Sequence, residues 1–550
     1  MNMKRFKKYQ SLFLILVILV IAGFFRLWRL DSIPPGLYPD VAQNGMDAIG
    51  AMETGEYKVF YPNNNGREGL FINLIAFSFR IFGVSIFAMN IVAALAGIFT
   101  ILGLYLLTKE IFNEKIALLS SFFTAVSFWH INFSRIAFRA ILTPLFLVFS
   151  FYFLFKGFRE KKIWNFALSG IFFGLGFHTY IAFRVAPLIV LIVLLNFLFI
   201  YWKSNLQKKW LTFTFCFLIF TFIVALPIGI YFIENPNDFI GRATDVSIFA
   251  AEDEPAKAFA SSFIKTLGMF NFKGDGNWRH NYVDEPMLYW PVGIFFALGL
   301  FISIIQLSKK IKRSFKKEDI NSKITNENSG FLISWFLIML LPAVSTAEGI
   351  PHALRTIGVI PVVYIFTALG FYWSVKKANL FIGSEFYPKF LKKISKPILE
   401  FTIILFLLNT AAFNFNKYFF DWAKNPEVRG AFLENLVGIG NYFNSLSSDT
   451  KKYVIVNQGG GEGFNLIQTI RFTTYPKENI EYLKTNELDK ITLLDKKTVI
   501  VIMTYDKELF SKLQTKFKKG KIEEKDGFWI YQRQNQKLKI KSQNYNSKVD

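Results

Sequence analysis

The chain has 550 residues, 52% of them hydrophobic, a mean hydropathy of +0.33 and a formal charge of +23. So many long apolar runs exclude an ordinary soluble protein of this length. The positive charge does not point to nucleic acid, because the basic residues gather in short loops between apolar runs, as the positive-inside rule requires in a membrane protein.

The N-terminus carries a basic group, KRFKK (4–8), followed by an apolar run. The sequence FFRLW (24–28) offers no small-residue cleavage site, so residues 1–30 read as a retained first membrane helix. Residues 34–73 then form a polar island with two acidic residues of interest, Asp40 and Glu68. By the length needed to cross a bilayer, spans are expected at roughly 11–30, 86–108, 115–129, 140–156, 163–179, 181–202, 210–233, 288–307, 330–346, 354–374 and 397–415. Residues 70–82 are apolar but too short to cross, and suit a helix lying in the interface. The lone cysteine, Cys216, rules out an intrachain disulfide and a cysteine-based metal site.

With the N-terminus inside, every dense basic cluster falls on the same side, including those at 109–115, 156–162, 203–209, 309–317 and 376–393. The opposite, outer side receives the 31–85 loop, the turns at 130–140, 178–184 and 347–355, a large loop at 234–288, and the C-terminus. All four histidines, His130, His178, His280 and His352, lie on that side. This asymmetry places the chemistry outside.

From about residue 416 the composition turns mixed and polar. KKYVIVN (451–457) and KTVIVIM (497–503) read as buried strands, residues 506–517 as a capped helix, and FWIYQRQ (528–534) as another strand. The expected architecture is an α-helical polytopic membrane domain over 1–415, with about eleven spans by the length criterion, and a small α/β extracytoplasmic domain over 416–550. The loop GGGEGFN (459–465) follows the first strand like a phosphate cradle but lacks the P-loop lysine. The tail at 537–550 reads as disordered.

Asp40 follows the proline-rich PPGLYP (34–39) and opens a helical pattern. Its position suits a general base and equally an ordinary helix N-cap. Asp47, seven residues on, reads as structural. Glu68 stands beside Arg67, where a local ion pair would explain it, yet it immediately precedes an apolar segment, where an idle carboxylate is disfavoured. Arg135, Arg139, Arg184, His352 and Arg355 sit at outer span ends. A single such residue means only that a cation reaches for the interface. Several on one side suggest an anion site, such as one for a phosphate. Arg67, His178, Tyr180, Asp275, Arg279, His280 and Glu348 are further substrate-binding candidates. No metal ligand set is assigned, and a divalent metal stays open.

PPGLYPD (34–40), NNGREGLF (64–71), FSRIAFRAILTPL (133–145), GDGNWRHN (274–281) and LPAVSTAEGIPHALRTIG (341–358) together resemble the bacterial membrane glycosyltransferases of the GT-C fold. They are most similar to glycosyltransferase family 39, which includes protein O-mannosyltransferases, the lipid A aminoarabinose transferase and core galacturonosyltransferases. The resemblance implies an inverting enzyme at the outer face of the cytoplasmic membrane. Its donor would be a polyprenyl-phosphate-linked sugar and its acceptor a glycan, lipid or protein. It matches Asp40 to the catalytic first-loop aspartate and Glu68 to the second acidic residue. The chain departs from many relatives in having Val41 after Asp40, and Gly69-Leu70 after Glu68. The competing expectation is a transporter or flippase of lipid-linked glycans. That reading requires ionisable groups near mid-membrane, whereas here they gather in outer loops.

Overall fold

The computed structural model describes residues 3–203, 206–315, 328–458, 463–476, 479–491, 498–518 and 520–533. The glycine-rich residues 459–462 and the tail from 534 lie outside them. The chain forms two compact units. One comprises Met1–Leu30, Tyr57–Leu74 and Asn90–Trp422, the other Asp31–Glu56, Ile75–Met89 and Ala423–Asp550. The 31–85 segment is thus divided between the two.

Among the described residues, eight helices are long and apolar enough to cross a membrane: Tyr9–Leu27, Ile86–Ile111, Arg139–Glu160, Ile181–Trp202, Gln207–Glu234, Trp290–Lys312, Ile357–Gly383 and Lys389–Trp422. Gly69–Phe82, Ile163–Gly176 and Ser329–Val344 are shorter apolar helices. The span expected at 115–129 is instead the 12-residue helix Glu114–Ala125. At about 1.5 Å per residue it falls well short of a bilayer core. It starts at a polar cap, and a second polar cap starts a new helix just beyond its end. Asn113 accepts the amides of Lys115 and Ile116 at 3.0 and 3.1 Å, and Ser127 caps the next short helix, Phe128–Phe133, by accepting from the His130 amide at 3.2 Å.

Water-driven burial contributes little between helices in lipid, so close backbone approach matters more. Helices Trp290–Phe315 and Ile360–Gly383 meet at two glycines. A Cβ on Gly299 would lie 1.8 Å from the Phe366 carbonyl oxygen, and one on Gly370 2.1 Å from that of Phe295. A buried arginine secures the end of the first helix. Arg135 donates to the carbonyls of Phe25, Trp28 and Arg29 at 3.0, 2.8 and 3.0 Å, which satisfies acceptors that the helix end leaves without partners. Arg26 reaches from that helix to the Ala125 carbonyl at 2.9 Å and to His130 Nδ1 at 2.6 Å. Burial first, then the Arg26 charge, holds the His130 pKa well below its ordinary value.

The second unit is built on a five-stranded sheet. β1 (Phe60–Tyr61) and β2 (Arg67–Glu68) belong to a hairpin of the first unit. The sheet holds β3 (Lys451–Val456), β4 (Ile480–Lys484), β5 (Thr498–Ile502), β6 (Gly520–Lys525) and β7 (Phe528–Arg533). Its order is β4-β3-β5-β7-β6, with β3 parallel to both β4 and β5, and β7 antiparallel to β5 and β6. The side-chain period of two separates two cores. Val454, Val499, Val501 and Ile530 meet Leu436, Ile439 and Ile470 on one face. Tyr453, Ile455, Ile500 and Ile502 meet Leu509, Phe510 and Leu513 on the other. The helix expected near 506–517 is Lys507–Lys516, capped by Asp506, which accepts from the Leu509 amide at 3.0 Å.

Candidate active site

In the first unit, β1 and β2 pair Phe60 with Glu68 and Tyr61 with Arg67. The turn between them needs left-handed backbone, and the sequence supplies Asn64, Asn65 and Gly66 at φ 51°, 62° and 74°. Gly69 closes the hairpin, its amide donating to the Val59 carbonyl at 2.7 Å. A Cβ there would lie 2.0 Å from the Lys58 carbonyl oxygen. The Gly that follows Glu68 is therefore a packing requirement.

The hairpin buries Glu68 and points its Oε2 at Arg139 Nε, 2.6 Å away. The local pair expected with Arg67 does not describe this carboxylate. Arg67 instead donates to Asn63, through the carbonyl at 3.4 Å and the side-chain oxygen. Arg139 lies over the Tyr180 ring, its guanidinium carbon 5.4 Å from the centroid.

Tyr180 also lines a cavity of about 240 Å³, with Arg184, Ser247, Pro342, Thr346 and Arg355 among its walls. Arg184 donates to the Phe239 carbonyl at 2.7 Å and stacks on that ring at 4.2 Å. Arg355 donates to Thr346 Oγ1 at 2.6 Å and to the Glu348 carbonyl at 2.8 Å. The Glu348 side chain itself is exposed. The cavity thus combines apolar walls with two cations, as an amphiphilic anion requires. Arg135 does not join them. It is fully buried on carbonyls, over the Tyr418 and Phe419 rings, so the expectation of a phosphate ligand gives way to a clamp on the first helix.

A second cluster joins the large loop to the 347–355 turn. Asp275 Oδ2 lies 3.0 Å from His280 Nδ1, 3.8 Å from His352 Nδ1 and 2.7 Å from the Ala353 amide. Burial pushes the Asp275 carboxyl pKa up, but the His280 hydrogen bond, the neighbouring imidazole charges and the Ala353 amide outweigh it, and the net shift is downward. Burial first, then His280, holds the His352 pKa well below its ordinary range. Arg279 folds onto Asn277, its amide 3.0 Å from Asn277 Oδ1. His178 lies apart from this cluster, its Nε2 2.8 Å from the Val224 carbonyl. Arg26 and Asn277 escaped sequence reasoning. Signals for both exist: an arginine within an apolar span, and the Asp-x-Asn of a self-bonding turn.

In the second unit, Asp40 lies exposed in the first turn of helix Pro39–Thr54, where the helix dipole favours a negative charge. It is not the N-cap, since that position is Tyr38. Asp47 accepts from Gln43 Nε2 at 3.1 Å, in line with a structural role. The helix packs on Gly463–Thr474 of the sheet domain. Thr469 Oγ1 donates to the Leu37 carbonyl at 2.9 Å, and Tyr475 Oη to Glu53 at 2.5 Å.

The architecture is that of the GT-C membrane glycosyltransferases, and the chain is a multi-pass membrane protein. ArnT from Cupriavidus metallidurans in the apo state aligns over 96% of this chain and 98% of its own, with a TM-score of 0.53 and 10% identity. The same protein bound to undecaprenyl phosphate gives 0.51 and 11% over the same shares of the two chains. The apo oligosaccharyltransferase of Archaeoglobus fulgidus aligns over 86% of this chain with a TM-score of 0.51 and 13% identity, and the match spans 65% of that longer chain. In sequence, residues 70–230 match the family described as dolichyl-phosphate-mannose-protein mannosyltransferase. No curated protein sequence matches the chain.

Proposed function

We propose that this protein is an inverting glycosyltransferase that moves a sugar from a polyprenyl-phosphate-linked donor to an acceptor at the outer face of the cytoplasmic membrane. The observation that carries this reading is the cavity in which Arg184 and Arg355 stand on apolar walls beside Tyr180, whose ring underlies the Arg139–Glu68 pair. The arginines would neutralise the departing lipid phosphate, and a positioned guanidinium does so without reorganising as the bond breaks. Arg139, held by Glu68, would fix the donor's orientation. Asp40 would take the proton of the acceptor hydroxyl late in the displacement, when even a weak base suffices. The outward orientation of these groups is supported by the single-sided basic clusters. The liganded ArnT structure is of a protein with undecaprenyl phosphate bound, which supports the donor class.

The test is donor binding and sugar transfer by the purified protein in detergent. Arg184→Ala and Arg355→Ala should each weaken polyprenyl-phosphate binding by about tenfold, the scale of one charge-assisted hydrogen bond. Undiminished binding in both variants removes the cavity as the phosphate site.

A further inference from the structure

We propose that Asp275, His280 and His352 form a binding site for one divalent cation of the zinc class. The three ligand atoms lie within 4.8 Å of one another. The set is one carboxylate and two imidazoles, the donor mixture that borderline cations such as zinc prefer over magnesium or calcium, which favour oxygen. Ligands about 2.0–2.2 Å from a tetrahedral zinc stand roughly 3–3.5 Å apart. The His280–Asp275 separation of 3.0 Å already meets that spacing, and the His352–Asp275 separation of 3.8 Å needs only a small contraction.

The frame around the set is built to hold it. Asp275 Oδ1 accepts the Asn277 amide at 2.8 Å, which fixes the carboxylate plane and leaves Oδ2 facing both imidazoles. The Asn132 side chain ties the loop down through the Arg279 carbonyl at 2.8 Å. Such outer contacts are what orient metal ligands in known sites. His352 Nδ1 accepts the Arg355 amide at 3.4 Å, so this nitrogen carries a lone pair. His280 Nδ1 donates its proton to Asp275 in the cation-free form, so a cation on that nitrogen requires the ring's other tautomer, with the proton on Nε2. Asp275 and His280 are 3% and 4% exposed. The His352 side chain is 16% exposed and is the edge through which a cation would enter.

The competing account is a hydrogen-bonded clamp that merely ties the loop to the turn. Titration calorimetry with zinc chloride on chelator-treated full-length protein separates the two, with zinc content measured by plasma mass spectrometry. The proposal expects one zinc per chain and a rise in melting temperature on adding zinc. His352→Ala and Asp275→Asn should each weaken zinc binding at least tenfold and abolish that rise. His352→Ala, at the least buried ligand, should melt like the wild type without zinc, which keeps the result readable if Asp275→Asn fails to fold. Zinc binding that is equally tight in His352→Ala, or no binding above the chelated baseline, overturns the site. Neither readout needs sugar transfer, so the result is independent of the proposed activity.

Discussion

Asp40 and Glu68 come from one segment between the first two membrane-length helices but are held by different means. Glu68 sits in a two-residue strand of the transmembrane unit, buried and tied to Arg139. Asp40 sits exposed on a helix that packs on the C-terminal α/β domain. The first arrangement holds a carboxylate by burial and a single strong partner, which offsets the cost of removing it from water. The second leaves the carboxylate accessible and fixes its backbone instead. An accessible carboxylate suits proton transfer to an arriving acceptor, and a buried, paired one suits orientation. If Asp40 is the base proposed above, the C-terminal domain has a task in transfer, since helix Pro39–Thr54 packs on its helix Gly463–Thr474.

The sharpest way to break the comparison is Asp40→Asn. It keeps the shape and removes the charge. Turnover should fall by about a hundredfold or more, the usual scale for a lost general base, with the fold and donor binding unchanged. Near-normal turnover in a donor-bound variant removes Asp40 as the base. Glu68→Gln should act differently. It leaves Arg139 facing a neutral amide in a mostly buried site, so stability should fall, by up to about 3–5 kcal/mol for a fully buried pair. Turnover should fall by only about tenfold. In a double-mutant cycle with Arg139→Gln, the two effects should be strongly non-additive. Additive losses, read from melting and from kcat, would separate Glu68 from Arg139 in function.

A subtler test is Thr469→Val, remote in sequence from Asp40. It leaves the Leu37 carbonyl without its hydroxyl partner, at a cost of about 1 kcal/mol. Hydrogen exchange should quicken across the Pro39–Thr54 helix, and kcat should drop a few-fold with donor affinity intact. Unchanged exchange would show that Thr469 does not hold the helix.

The apolar helices were legible in the sequence because bilayer length is a strong constraint. Strands β3, β5 and β7 were legible because their apolar runs face two cores. Strands β4 and β6, IEYLK and GKIEEK, were not, because they are the sheet edges, with charged residues interrupting their apolar ones, so no hydrophobic run marks them. The 115–129 segment looked like a span because composition does not register that its helix ends at Ala125 and that Ser127 caps a new one. The residue types at the candidate site were also visible, but their partners were not. Glu68 bonds across 71 positions to Arg139, and adjacency favoured Arg67. Arg135 shared the spacing and sidedness of Arg139 but became a backbone clamp, because it faces a helix end with open carbonyls.

The smallest effect expected is a pH dependence at His178, and it probes the charge on Glu68 from a distance. Burial lowers the His178 pKa, while the hydrogen bond to the Val224 carbonyl and the negative charge of Glu68 partly oppose the shift. Because the folded-state pKa is depressed, the unfolded chain binds the proton more readily. The stabilisation is therefore fully present above the unfolded histidine value of about 6.5 and is lost as pH falls below it, at no more than about 1.4 kcal/mol per pH unit for one proton. Removing the Glu68 charge takes away a group that favours the imidazolium, so Glu68→Gln should depress the His178 pKa further and steepen the loss of stability between about pH 6.5 and 5. The measurement is chemical shift or melting temperature against pH for wild type, Glu68→Gln and His178→Asn. The His178→Asn variant should lose this component of the slope, and a slope unaffected by Glu68→Gln would mean that the carboxylate is not charged where His178 can sense it.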